Sequence, residues 1–220
     1  MKEFSEIYLA WRLGQGKRRH IVGVLKRSPV GEFTFSYDIK AVSEAKKEGF
    51  TDYVELPYSD KTYRGEVLEV FAQRIIKPAR TDVQTFYDFW EIEPGNVNDK
   101  FYMLGHTQGL LPTDNFELLA DYTPIEGLHF LTDLADVSKR KLPADFVKIG
   151  DILTFKLESF NLYDTSAVAV YKGDTQLGYI KQIHSRIFHK VQGEHLKLTV
   201  KAIDQNGTIK KIFAKITIGV

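Results

Sequence analysis

Asn161-Leu162-Tyr163-Asp164 sets an aromatic ring beside a carboxylate in a short polar segment between two β-rich runs. Strand-end loops are where binding residues collect. There, a ring can stack on a nucleic-acid base, cations can neutralise phosphates, and a carboxylate can accept a hydrogen bond from a sugar hydroxyl. Other parts for such a pocket lie in the same half of the chain: His129-Phe130, and the basic run Lys139-Arg140-Lys141. A plainer reading stands beside this one. Asn and Asp are turn formers, Tyr163 could pack on a rim, and the basic run could be a solvated loop.

Catalytic chemistry finds less support. Gly14-Gln15-Gly16-Lys17 lacks the four residues a phosphate loop needs between its glycines, and Arg18 stands where the Ser or Thr should be, so a hairpin turn is expected. His184 and His189 are five apart, a poor spacing for two ligands on one helix face. No Gly-x-Ser-x-Gly elbow surrounds a serine, so Ser185, His184 and Asp164 do not form a convincing triad. Asp133 and Asp136 read as solvated charges. The absence of cysteine removes thiolate zinc sites, iron-sulfur clusters and a cysteine nucleophile. The expectation is a protein that is not an enzyme, with no metal and no cofactor.

The elements that must position these residues fall into two groups. In the first half, Ile7–Leu13 and Ile21–Leu25 read as a hairpin and Glu32–Asp38 as a third strand. Helices are expected over Ala41–Gly49, Gly65–Ile75 and from Thr81 or Asp82 to Trp90, with a further strand at Phe116–Ala120. Asp121-Tyr122-Thr123-Pro124 supplies a boundary, giving a small α+β domain over residues 1–122 and a second domain over 123–220. The second half carries short strand-like runs at Gly127–Thr132, Asp151–Phe160, Ser166–Tyr171 and Gln176–Ile180. A helix over Gln182–Val191 and a C-terminal hairpin turning at Asn206-Gly207 follow. The fold class expected is α+β and β-rich, with a five- or six-stranded small barrel as the second domain.

Composition looks neutral until it is divided. The 220 residues hold 30 Lys+Arg and 29 Asp+Glu, a net charge of +1. Residues 1–121 carry 16 basic and 19 acidic side chains, whereas residues 122–220 carry 14 and 10. From Lys139 onward, 14 basic residues face seven acidic ones. Charge asymmetry of this kind hints at a polyanionic partner for the second half. No run of 18 apolar residues could span a bilayer and the N-terminus lacks the apolar stretch of a secretory signal, so a soluble cytoplasmic protein without membrane contact is expected.

The order Gly127-Leu128-His129-Phe130, Val147-Lys148-Ile149-Gly150-Asp151, Asn161-Leu162-Tyr163-Asp164, Ala167-Val168-Ala169-Val170-Tyr171 and Leu177-Gly178-Tyr179-Ile180-Lys181 resembles the HIRAN domain. HIRAN domains are small OB- or SH3-like barrels found in bacterial proteins and fused to fork-remodelling helicases, and the best-understood member captures a free 3′ end of single-stranded DNA. The resemblance implies that Tyr163 and Asp164 engage the terminal nucleotide, Asp164 near the 3′-hydroxyl, with Asn161 in the same loop. It also places Tyr179 and Lys181 at strand-end positions around the nucleic acid. The DNA-binding member has Arg-Tyr where this chain has His129-Phe130, which keeps the ring and replaces a permanent cation with an imidazole.

The first half is similar to the small N-terminal subdomain of HipA-type kinase toxins. The residues that carry this are Gly23-Val24-Leu25, Phe33–Asp38, Leu56-Pro57, Leu68–Arg74 and Thr113-Asp114-Asn115-Phe116. No kinase core follows, so the resemblance implies a protein-docking or regulatory module rather than phosphorylation. Two readings result. In one, a bacterial, non-enzymatic protein binds single-stranded DNA, preferentially at a free 3′ end, through its C-terminal barrel. In the other, the chain is a protein-interaction module related to small subunits of HipA-type toxin systems.

Overall fold

A computed structural model describes residues 3–14, 16–161, 164–191 and 195–219. The chain divides into two compact units, Phe4–Asp121 and Tyr122 onward, with Glu3 belonging to the latter. Among the described residues, no helix is long and apolar enough to cross a membrane.

The N-terminal unit is built on an antiparallel sheet of five strands. These are β1 (Glu6–Trp11), β2 (His20–Arg27), β3 (Phe33–Tyr37), β4 (Tyr63–Arg64) and β5 (Phe116–Ala120), in the spatial order β4-β3-β2-β1-β5. Lys17 N–H donates to Gly14 O (3.2 Å) and Gly16 has φ 76°, while Gln15 of the expected turn lies outside the described residues. Helix α1 (Ile39–Lys47) starts where the Asp38 carboxylate accepts from Ala41 N (2.7 Å) and ends on Lys46 and Lys47, which suit the negative end of its dipole. Helices α2 (Val67–Ala72) and α3 (Val83–Trp90) follow. Helix α4 (Lys100–Thr107), capped by Asp99, is buried at every position from Phe101 to Thr107. It has no polar stripe, so the helical period is invisible in its sequence. Gly105 lets it pack tightly, since a Cβ there would lie 2.3 Å from the Phe4 ring.

The C-terminal unit has six strands: β6 (His129–Asp133), β7 (Ile152–Glu158), β8 (Ala167–Lys172), β9 (Thr175–Tyr179), β10 (Leu196–Asn206) and β11 (Thr208–Ile218). Their order is β6-β11-β10-β7-β8-β9. Helix α5 (Gln182–Lys190) covers one face. There Phe188 meets Phe155 edge-on at 4.9 Å and the His184 ring meets Phe130 at 5.2 Å, with His184 Nδ1 2.9 Å from Thr132 Oγ1.

The closed OB-like barrel expected from the strand pattern is not what forms. The sheet ladder stops at β6 and β9, and only an isolated bridge between Ala135 and Tyr179 joins these ends. The chain leaves the strand direction directly afterwards, at Asp136 with φ 63°, so no ladder can propagate there. Asp133 is a second correction. It is buried and paired with the fully buried Lys181 rather than solvated.

Candidate nucleic-acid interface

The face of β7, β8 and β9 turned away from α5 carries the candidate site. Residues paired across strands share a face. Lys156 pairs with Ala169 and Ala169 with Tyr179, so the three stand in one row. Thr154 pairs with Tyr171 one pleat repeat further on, about 7 Å along the strands. Lys156 and Tyr171 are therefore diagonal neighbours, and the Lys156 ammonium lies 4.9 Å from the Tyr171 ring centroid. At the other end of the row, the Arg140 guanidinium lies 5.9 Å from the Tyr179 ring centroid. Both cations are exposed and both rings are half-buried.

Arg140 is set by local backbone geometry. It ends a single 3-10 turn, Val137–Arg140, flanked by two residues in the left-handed region, Asp136 (φ 63°) and Lys141 (φ 52°). Val137 anchors the turn in the core. Just before it, Ala135 and Tyr179 exchange two backbone hydrogen bonds, 2.8 and 3.0 Å. That approach requires glycine next door, because a Cβ on Gly178 would sit 2.3 Å from the Ala135 carbonyl oxygen. The glycine of the Gly178-Tyr179-Ile180 block thus fixes Tyr179 beside the turn that carries Arg140.

The loop joining β7 to β8 adjoins this face. Asn161 is held by Glu158, donating its backbone N–H to Glu158 O (3.0 Å) and its side-chain amide to Glu158 Oε2 (2.9 Å). Asn161 Oδ1 accepts from Asp164 N (3.2 Å), and Asp164 Oδ1 accepts from Ser166 N (2.9 Å). The turn-forming roles of Asn and Asp are therefore real. One backbone bond does not exhaust an ionised carboxylate, whose two oxygens offer about four acceptor sites. Leu162 and Tyr163 lie outside the described residues. His189 Nε2, in the last turn of α5, is 3.0 Å from Ser166 O and ties the loop to the helix.

The sequence-derived candidates separate into several environments. Arg140 and Tyr179 come together, and Asn161 and Asp164 share the adjoining loop. Lys139 is exposed and pairs with Asp136 (2.8 Å), and Lys141 is exposed. His129 opens β6, opposite Thr217, with Nδ1 3.3 Å from Gly127 O. Phe130 does not offer a ring to a ligand in this structure. It has no exposed surface, because Tyr122 is stacked on it (centroids 3.9 Å apart, planes 17° apart) and His184 meets its ring from the side. Lys181 is likewise internal, since its ammonium is neutralised by Asp133 at the start of α5.

Three residues on or beside the face escaped the sequence reading. Lys156 and Tyr171 are remote in sequence, and only the β7–β8 register makes them neighbours; their period-2 places on two strands were the available signal. Phe160 is 97% exposed beside Asn161, whereas its type predicts burial. On the opposite face, next to Tyr171 in sequence, charge is locally cancelled. Lys172 Nζ donates to Asp151 Oδ2 (2.5 Å) and Phe146 O (2.8 Å). The Lys172 hydrogen bond, with a second from Lys148 N–H, holds the Asp151 carboxyl below its usual range. Among the described residues, no group of three or more His, Asp or Glu side chains is placed to hold a metal ion.

Residues 123–214 match the HIRAN domain family. That span contains every described residue of the face and loop. No curated protein matches the chain. Among solved structures, the chain is similar to the HIRAN domain of human HLTF, with 12% identity and a TM-score of 0.31, covering 41% of this chain and 76% of that one.

Proposed function

We propose that the C-terminal unit binds single-stranded DNA at a free 3′ end, without catalysing a reaction. The observation that carries this reading is the pairing of the exposed Arg140 with the half-buried Tyr179 ring near the loop that holds Asn161 and Asp164. A half-buried ring offers a base a stacking surface, and the exposed guanidinium over it meets the adjoining phosphate. Asp164 gives the end preference: a carboxylate accepts a hydrogen bond from a terminal 3′-hydroxyl and repels a terminal phosphate. For Tyr163, next to it in the sequence, the resemblance to the HIRAN pattern implies contact with the same terminal nucleotide.

Fluorescence anisotropy with matched oligonucleotides ending in 3′-hydroxyl or 3′-phosphate tests the reading. Tighter binding of the hydroxyl form, reduced by Asp164→Asn, is expected. Equal affinity for both ends would refute end capture, and no binding at low salt would refute the nucleic-acid reading altogether.

A further inference from the structure

We infer that Lys156 and Tyr171 form a second stacking subsite, which takes a nucleotide on the 5′ side of the terminal one and fixes the path of the strand along β7 and β8. This rests on the reading above and extends it. The two ring–cation pairs, Arg140 with Tyr179 and Lys156 with Tyr171, lie on one face. Ala169, which has no exposed surface, sits between Lys156 and Tyr179 in the same row, so a strand would pass over the side chains that flank it.

Order along the face gives the strand a direction. The Asn161–Asp164 loop follows Glu158, and Glu158 pairs with Ala167 at the loop end of β7 and β8. Next comes the row holding Lys156, Ala169 and Tyr179, then the row of Thr154 and Tyr171. A strand whose 3′ terminus is held at the loop therefore meets Tyr179 before Tyr171, with its 5′ part leading toward the β8–β9 turn. The charge distribution suits a short track. Lys156 is exposed and its ammonium lies over a ring, whereas Lys172, the next cation along β8, is on the opposite face by strand alternation, engaged by Asp151. The occupant is single-stranded nucleic acid rather than an acidic peptide, because rings paired with cations match alternating bases and phosphates.

Oligothymidylates of two to eight nucleotides with free 3′-hydroxyls, titrated into the full chain and into Tyr171→Leu and Lys156→Gln, test this. The unaltered protein should gain affinity with length. Tyr171→Leu should leave the preference for a 3′-hydroxyl over a 3′-phosphate end unchanged and weaken binding of strands of two or more nucleotides about 5- to 150-fold, the range of one lost base–ring stack. Lys156→Gln should lower the salt slope for long strands by about 0.7, one phosphate contact on a single strand. Circular dichroism confirms that each variant is folded. Length-dependent binding that Tyr171→Leu leaves intact overturns the second subsite alone. Failure of the unaltered protein to bind any length overturns it together with the end-capture reading.

Discussion

The two units use their cations in opposite ways. In the N-terminal unit, four arginines are committed to holding the fold. Arg74 is buried, forms a two-pronged pair with Asp114 (2.7 and 2.8 Å), and donates through Nε to Gly109 O (2.7 Å). Arg12 and Arg19 converge on the buried Glu117, and Arg27 pairs with Asp99. In the C-terminal unit, Arg140 and Lys156 lie over tyrosine rings at the surface of an open sheet face. The contrast teaches that charge counted is not charge available. An arginine inside a carboxylate fork has spent its donors, whereas one over a ring keeps its N–H groups for a ligand. Lys181 follows the first pattern within the second unit.

The largest expected effects break the spent pairs. Lys181→Met removes the cation that neutralises the buried Asp133 and should destabilise the C-terminal unit by about 3–5 kcal/mol. Asp114→Ala should destabilise the N-terminal unit less, because Arg74 keeps its bonds to Gly109 O and Phe116 O and Asp114 is partly exposed. Denaturant unfolding measures both, and a loss under 1 kcal/mol in either would mean that its pair is not the fixed support described. Gly178→Ala comes next. Its new Cβ meets the Ala135 carbonyl, so a cost of about 1–3 kcal/mol is expected, and a neutral result in thermal unfolding would contradict the close approach.

Available cations give smaller effects on stability and larger ones on binding. Arg140→Gln should change unfolding by no more than about 0.5 kcal/mol, as for other surface substitutions. It should also reduce oligonucleotide affinity and its salt dependence. An unfolding change as large as that of Lys181→Met would erase the distinction between the two kinds of cation.

One further effect lies outside charge pairing and shows only in alkali. Burial pushes the Tyr37 hydroxyl, which donates to Leu56 O (2.5 Å), up to about 12. The unfolded chain loses that proton near pH 10, so the stabilisation is complete below about pH 10 and is lost as pH rises through about 12. Unfolding of the N-terminal unit between pH 9 and 12 should show this slope, and Tyr37→Phe should reduce it, the remainder coming from Tyr53, whose hydroxyl burial also pushes up.

Much of this organisation was legible in the chain. The strands of the C-terminal unit were marked by alternation and by Gly173 and Asn206-Gly207 turns, and α5 by helical spacing. Strand β5 spans Phe116–Ala120, as its pattern indicated. Helix α4 was not legible, because a helix buried on all sides has no polar phase to read. Strand β4 was missed as well, because two residues are too few to carry a period. At the site, the Asn161–Asp164 turn could be seen in residue type alone, since Asn and Asp bond to their own neighbours and need no distant partner.

Sequence by itself determined the local matters: strand alternation, caps, turns, the charge divide between the halves, and the block order that matches the HIRAN domain. Those depend on neighbours a few residues apart. Only the tertiary structure decided which polar and aromatic groups are usable. Phe130 is covered by Tyr122, Lys181 is neutralised by Asp133, and Lys156 and Tyr171, fifteen residues apart in sequence, become a pair. The physical reason is that burial and pairing are set by strand register and by packing between distant segments, and a one-residue change of register would send each of these side chains to the other face.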